Sequence, residues 1–143
     1  TTMKNILNSD VRKRGKQDLK KVFKECRFKD GLALNEGGKP APDDFVYYYN
    51  KSRDGEMGNY IIYEVISTDA IRRADDAVIG REVFAQIDVF SLKSFESKAL
   101  QMTLTKLEEQ LTVAGFEVEA REEAYEPDTR LYHQVFFVSK LYF

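Results

Sequence analysis

Cysteine and histidine are nearly absent from these 143 residues: Cys26 is the only thiol and His133 the only imidazole. One cysteine excludes an intramolecular disulfide and a cysteine-based zinc site, and says nothing firm about compartment. One histidine, set inside a run of strand-forming residues, reads as a structural or interface side chain ahead of a general base. No apolar run approaches the roughly 20 residues that cross a bilayer, and nothing near the start has the apolar middle of a signal peptide. The expectation is a soluble chain that is not secreted by that route. Thr1 and Thr2 before Met3 read as an expression remnant, so a single domain is expected over 3–143, a length that supports a sizeable core.

The usual marks of chemistry are also scarce. Cys26 falls on the apolar face of a helical segment and reads as a small buried residue, not as a thiolate. "NEGGKP" (35–40) has glycines before a lysine, but it lacks the second half of a phosphate-binding loop and is followed by prolines. Asp75, Asp76 and Asp88 could gather around a cation, yet adjacent aspartates in a polar stretch are usually solvated, and the spacing of an EF-hand is missing. The aromatic runs "FVYYY" and "LYHQVFFVSKLYF" carry one lysine between them, which suits sheet packing better than stacking on single-stranded nucleic acid. No catalytic residue, cofactor or metal is expected.

What is present is an uneven distribution of charge behind a net charge of -2. Ten basic residues stand against Asp10, Asp18 and Glu25 among the first 29, so this segment carries +7 and the remainder -9. Glutamates and an aspartate between 117 and 128 concentrate much of the negative charge. Such polarity allows a basic helix to touch nucleic acid, copies of one chain to attract one another end to end, or a helix face that is simply solvated.

Helical periodicity appears twice. Leu19, Val22, Phe23 and Cys26 line one face of a segment over 16–27, whose start Gly15 obscures. Leu100, Leu104, Leu107, Leu111 and Ala114 form a second stripe, with Ser94 as expected N-cap and Gly115 as stop. Between them, 29–44 reads as a long loop. "FVYYY" (45–49) and "YIIYEVI" (60–66) read as a hairpin around a polar tip at 50–59. Both loops are expected to be mobile in the monomer. After a polar linker holding Asp75 and Asp76, "REVFAQIDVF" (81–90) alternates as a strand, Val83, Ala85, Ile87 and Val89 facing one way. "FEVEA" gives a short strand, "EEAYEPDTR" a charged turn, and 131–143 a last long strand. The predicted fold is α+β: a mainly antiparallel sheet of four to five strands with two main helices packed on it.

Over residues 60–143 the order of several pieces resembles the tail terminator, or tail-completion, proteins of long-tailed bacteriophages and prophages. The pieces are "YEVIS", the "ADD" linker, "QIDVFS" entering a helix, the "AGF" helix exit, and "YEPDTRLYH" leading into the last strand. The resemblance implies a virion structural protein, assembled in the host bacterial cytoplasm as a ring, usually a hexamer, that caps the tail tube and joins it to the head connector. It also implies that DNA passes through the ring without specific binding. Other head-tail neck components, and a small nucleic-acid-binding module using the basic helix, are the alternatives. For a ring, Lys13, Arg14, Lys20 and Lys24 of the basic helix and Glu122 and Glu123 of the acidic segment are the expected complements. Tyr125 and Tyr132 are the expected apolar anchors.

Overall fold

The structure is a computed structural model, and it describes residues 5–26, 29–30, 46–50 and 59–143. The expected mobile loops at 29–44 and 50–59 lie almost wholly outside these residues. Along the chain run helix α1 (Asn8–Glu25), strands β1 (Lys29–Asp30), β2 (Val46–Tyr49), β3 (Tyr60–Ala74) and β4 (Ala77–Ser91), helix α2 (Lys98–Val113), and strands β5 (Glu117–Glu126) and β6 (Leu131–Tyr142). Among the described residues the strands form one sheet in the order β1-β2-β3-β4-β6-β5. Pairing is antiparallel from β3 through β5 and parallel from β1 to β3, so the domain is α+β with a mostly antiparallel sheet.

Both helices lie on one face of the sheet. Alternation along β4 sends Val83, Ala85, Ile87 and Val89 toward them, as expected, and all four are buried. Ala85, Ile87 and Val89 share a cluster with Leu19, Val22 and Phe23 of α1, Leu100, Leu104, Leu107 and Leu111 of α2, and Phe136 and Val138 of β6, while Val83 clusters with Val11 and Tyr142. Helix α2 closes as its sequence requires. Gly115 takes a φ of 92°, its N–H bonds the Thr112 carbonyl, and the Phe116 N–H reaches back to Leu111. That is the paired Schellman closure, which favours glycine because other residues resist positive φ. Its N-cap is Ser97, whose hydroxyl accepts from the Leu100 N–H, and not Ser94.

Four further expectations are corrected. Helix α1 starts at Asn8 and runs through Gly15, because a Cβ on Gly15 would stand 3.1 Å from Val83 Cγ1. The missing side chain lets helix and sheet approach, and this contact outweighs the helix penalty of about 1 kcal/mol for glycine. Second, "FVYYY" and "YIIYEVI" do not form a hairpin: β2 runs parallel to β3, Val46 opposite Tyr60 and Tyr49 opposite Tyr63. A four-residue strand spans only about 13 Å, a distance the ten residues that follow can retrace. Third, the polar linker is a two-residue turn. Asp75 and Asp76 both have positive φ, 48° and 61°, the requirement of a type I′ turn between Ala74 and Ala77. Fourth, the charged turn after "FEVEA" is strand through Glu126, and only 127–130 turn the chain.

Joined by so tight a turn, β3 and β4 extend beyond their neighbours. The last pair between β4 and β6 is Arg81 opposite Tyr142, so the end of the β3–β4 ribbon has no β6 beside it. Asn5 and Ile6 lie along it instead. Ile6 N–H donates to the Val78 carbonyl at 2.6 Å, the Val78 N–H donates to Asn5 Oδ1, and Arg81 Nε donates to the Ile6 carbonyl.

Candidate subunit interface

The basic side of the molecule is narrower than the sequence suggests, because part of its charge is used inside the fold. Arg12 turns inward and donates to the Val65 carbonyl at 2.8 Å, beside the bulge between Val65 and Ser67. Arg14 is exposed but lies over the Tyr142 ring, 4.7 Å from its centroid. Lys13 and Lys24 stand in solvent, and Lys20 is half-buried. Asp18 accepts from Lys140 Nζ at 2.8 Å and from the Tyr142 hydroxyl at 2.5 Å, which ties α1 to the end of β6. Burial and this carboxylate push the Tyr142 phenol far above its usual range.

The acidic side is the edge strand β5. Glu122 and Glu123 are exposed and point to opposite faces, Glu122 opposite Val135 and Glu123 opposite Gln134. An edge strand with solvent on both faces accepts such residues, and charge there discourages stray strand pairing. Tyr125 is 49% exposed and its ring lies 4.8 Å from that of half-buried Tyr132, which in turn meets Phe95 edge-on. The structure therefore does not bring the two expected sets together within one chain. Helix α1 packs beside β3 and β4, and β5 lies beyond β6 at the sheet edge.

His133 is on the face of the sheet opposite the helices. Its Nε2 is 2.8 Å from Asp88 Oδ1 and its Nδ1 3.5 Å from Glu126 Oε1, while the Gln86 amide donates to both Asp88 oxygens. The imidazole stacks on Phe90 at 4.2 Å, and Phe90 stacks on Tyr60. Cys26 lies in the core on the helix side, so the sheet separates thiol from imidazole. Asp75 and Asp76 sit at the hairpin turn, roughly 40 Å of extended strand from Asp88.

Burial pushes the Cys26 thiol up to about 11, with Glu25 adding to the shift and Lys106 opposing it. The folded chain thus holds this proton at pH values where the unfolded chain, near its ordinary 9, releases it. The resulting contribution to stability is complete below pH 9 and is lost as pH rises through about 11. At pH 8 a thiol-specific reagent should label the native chain far more slowly than the denatured one; equal rates would contradict a buried thiol.

Sequence reasoning missed a groove on the helix-free face. It has a volume of about 460 Å³, and Ile66, Phe84 and Phe137 line it together with Glu82 and Glu119. The bulge in β3 turns Ile66 outward, leaving it 49% exposed. Burial, and then repulsion from Glu119, Glu117 and Asp69, hold the Glu82 carboxyl above its usual range. No protein-family model matches the chain, and no curated protein matches it. A second, larger cleft of about 790 Å³ opens at the start of α1, where Leu7, Lys13, Arg14 and Phe143 are among its walls. Period-two alternation in β4 assigns Phe84 to the face opposite Val83, but alternation gives no sign of whether a layer covers that face.

Proposed function

We propose that the protein is a structural component of a long-tailed bacteriophage or prophage, forming a ring that terminates the tail tube and joins it to the head connector. The observation that carries this reading is the separation of α1 from β5. A basic surface and an acidic surface that cannot meet within one chain can neutralise each other between copies. Contact between two different patches is head-to-tail, and it closes into a ring when the rotation is right. The ordered resemblance over 60–143 supports the same assignment and a hexameric count. Tube and connector proteins are the further partners, and DNA passes through the hole without specific contacts. Opposite potentials steer encounter and fix register more than they add affinity.

Complementation of tail assembly tests this reading. In a phage lacking its own copy, the double variant Glu122→Lys, Glu123→Lys is expected to lower the yield of normal-length, head-joined tails well below that of the wild-type chain. If wild-type protein itself fails to complement, the assignment is wrong. If wild type and variant complement equally, β5 carries no assembly contact.

A further inference from the structure

We infer that the groove on the helix-free sheet face receives the start of helix α1 from a second copy of this chain, with Leu7 as the inserted side chain. This rests on the ring reading above and specifies the contact within it.

The two surfaces are reciprocal in polarity and charge. The groove exposes Ile66, Phe84 and Phe137 between Glu82 and Glu119. The cleft at the start of α1 exposes Leu7, 55% accessible, beside Lys13, Arg14 and Phe143. Each has an apolar centre; two carboxylates flank the groove, while the cleft sets Lys13 and Arg14 against the single acid Asp10, so that apolar side chains provide desolvated anchors and the opposite net charges set register. Acidic crowding around Glu82 adds a reason for a cationic occupant. Asp69 stands directly opposite Glu82 across the β3–β4 pair, and Glu117 and Glu119 approach from β5. Like charges so placed destabilise the isolated chain, and an incoming Lys13 or Arg14 would relieve them.

Within one chain the two surfaces cannot meet. Helix α1 packs through Val11 on the sheet face that carries Val65 and Val83, whereas Phe84 and Phe137 point the other way. The sheet itself lies between them, so the occupant has to come from another molecule. Glu119 belongs to β5, which makes the groove continuous with the acidic edge strand.

Two full-length variants test the contact by charge exchange. Glu82→Lys with Glu119→Lys makes the groove basic, and Lys13→Glu with Arg14→Glu makes the helix start acidic. In sedimentation velocity at low salt, each variant alone should remain monomeric while the wild-type chain associates. An equimolar mixture should regain wild-type association, because each groove then finds a complementary helix. A second measurement does not depend on those carboxylates. Leu7→Cys and Ile66→Cys are both at exposed positions, and mixing the two single variants under oxidised glutathione should give a disulfide-linked dimer that neither gives alone. Wild-type rings with neither charge rescue nor this disulfide would overturn the groove contact and leave the ring reading standing. A wild-type chain that stays monomeric at every concentration, and forms no such disulfide, would overturn both.

Discussion

Leu107→Ala is expected to lower the free energy of unfolding by about 2 to 5 kcal/mol, the range for emptying a buried leucine site. Leu107 is fully buried, and it is the third of four leucines that α2 turns toward the sheet. Its removal takes a side chain from the cluster that joins α2 to Ile87, Phe136 and Val138. The lost burial and the residual cavity both contribute to the cost, because a close-packed interior relaxes only in part. Urea unfolding should show a lower midpoint at an unchanged slope. Met102→Ala, at an exposed position of the same helix, serves as control and should shift stability by about 0.5 kcal/mol or less. Equal midpoints for Leu107→Ala and wild type would mean that α2 does not pack by this stripe.

Phe23→Ala should cost as much or more, about 3 to 5 kcal/mol. The Phe23 ring is buried where α1 meets the parallel strand pair, its centroid 5.2 Å from that of Tyr47 and 4.7 Å from that of Tyr63. Tyr49 joins the group edge-on to Tyr63. Tilted and edge-on pairs of this kind add about 0.5 to 1.5 kcal/mol each beyond the area they bury. The substitution therefore loosens α1, β2 and β3 together. Near-ultraviolet circular dichroism should lose tyrosine signal even under conditions where the variant stays folded. A tyrosine spectrum and a midpoint both matching wild type would remove Phe23 from its place as the link between these elements.

The leucine stripe of α2 and the alternation of β4 were legible because each is a local pattern repeated over several turns or residues. What escaped sequence reading depends on partners distant in the chain. Gly15 reads as a helix breaker until Val83 is seen against it. Ser94 and Ser97 are equivalent N-cap candidates by type, and only the bond to the Leu100 N–H separates them. Asp75-Asp76 is not the Asn-Gly or Asp-Gly pair that marks a type I′ turn, so a tight hairpin passed as a linker. The direction in which β2 pairs leaves no trace in "FVYYY" itself. For the candidate interface, the sequence divides the charged residues between a first helix and a late acidic segment, and these are α1 and β5. It could not show that Arg12 turns inward, or that Phe84 and Phe137 open onto a groove between Glu82 and Glu119.

The strap formed by Asn5 and Ile6 along the β3–β4 ribbon governs how the molecule comes apart. A two-stranded ribbon is marginal in water on its own, and three strands with an apolar face mark the onset of independent stability. Ala77 and Val78 near the tip are buried, although Ala70 through Arg73 of β3 are exposed. The tip is therefore a unit that opens at lower free energy than the helix-covered core. The latch on that unit lies more than 60 residues earlier in the chain. Peeling residues 5–6 away frees the ribbon end without disturbing a single leucine of α2. Because Leu7 follows directly, whatever grips the start of α1 also sets the tension on this latch, and docking and fraying become two ends of one lever.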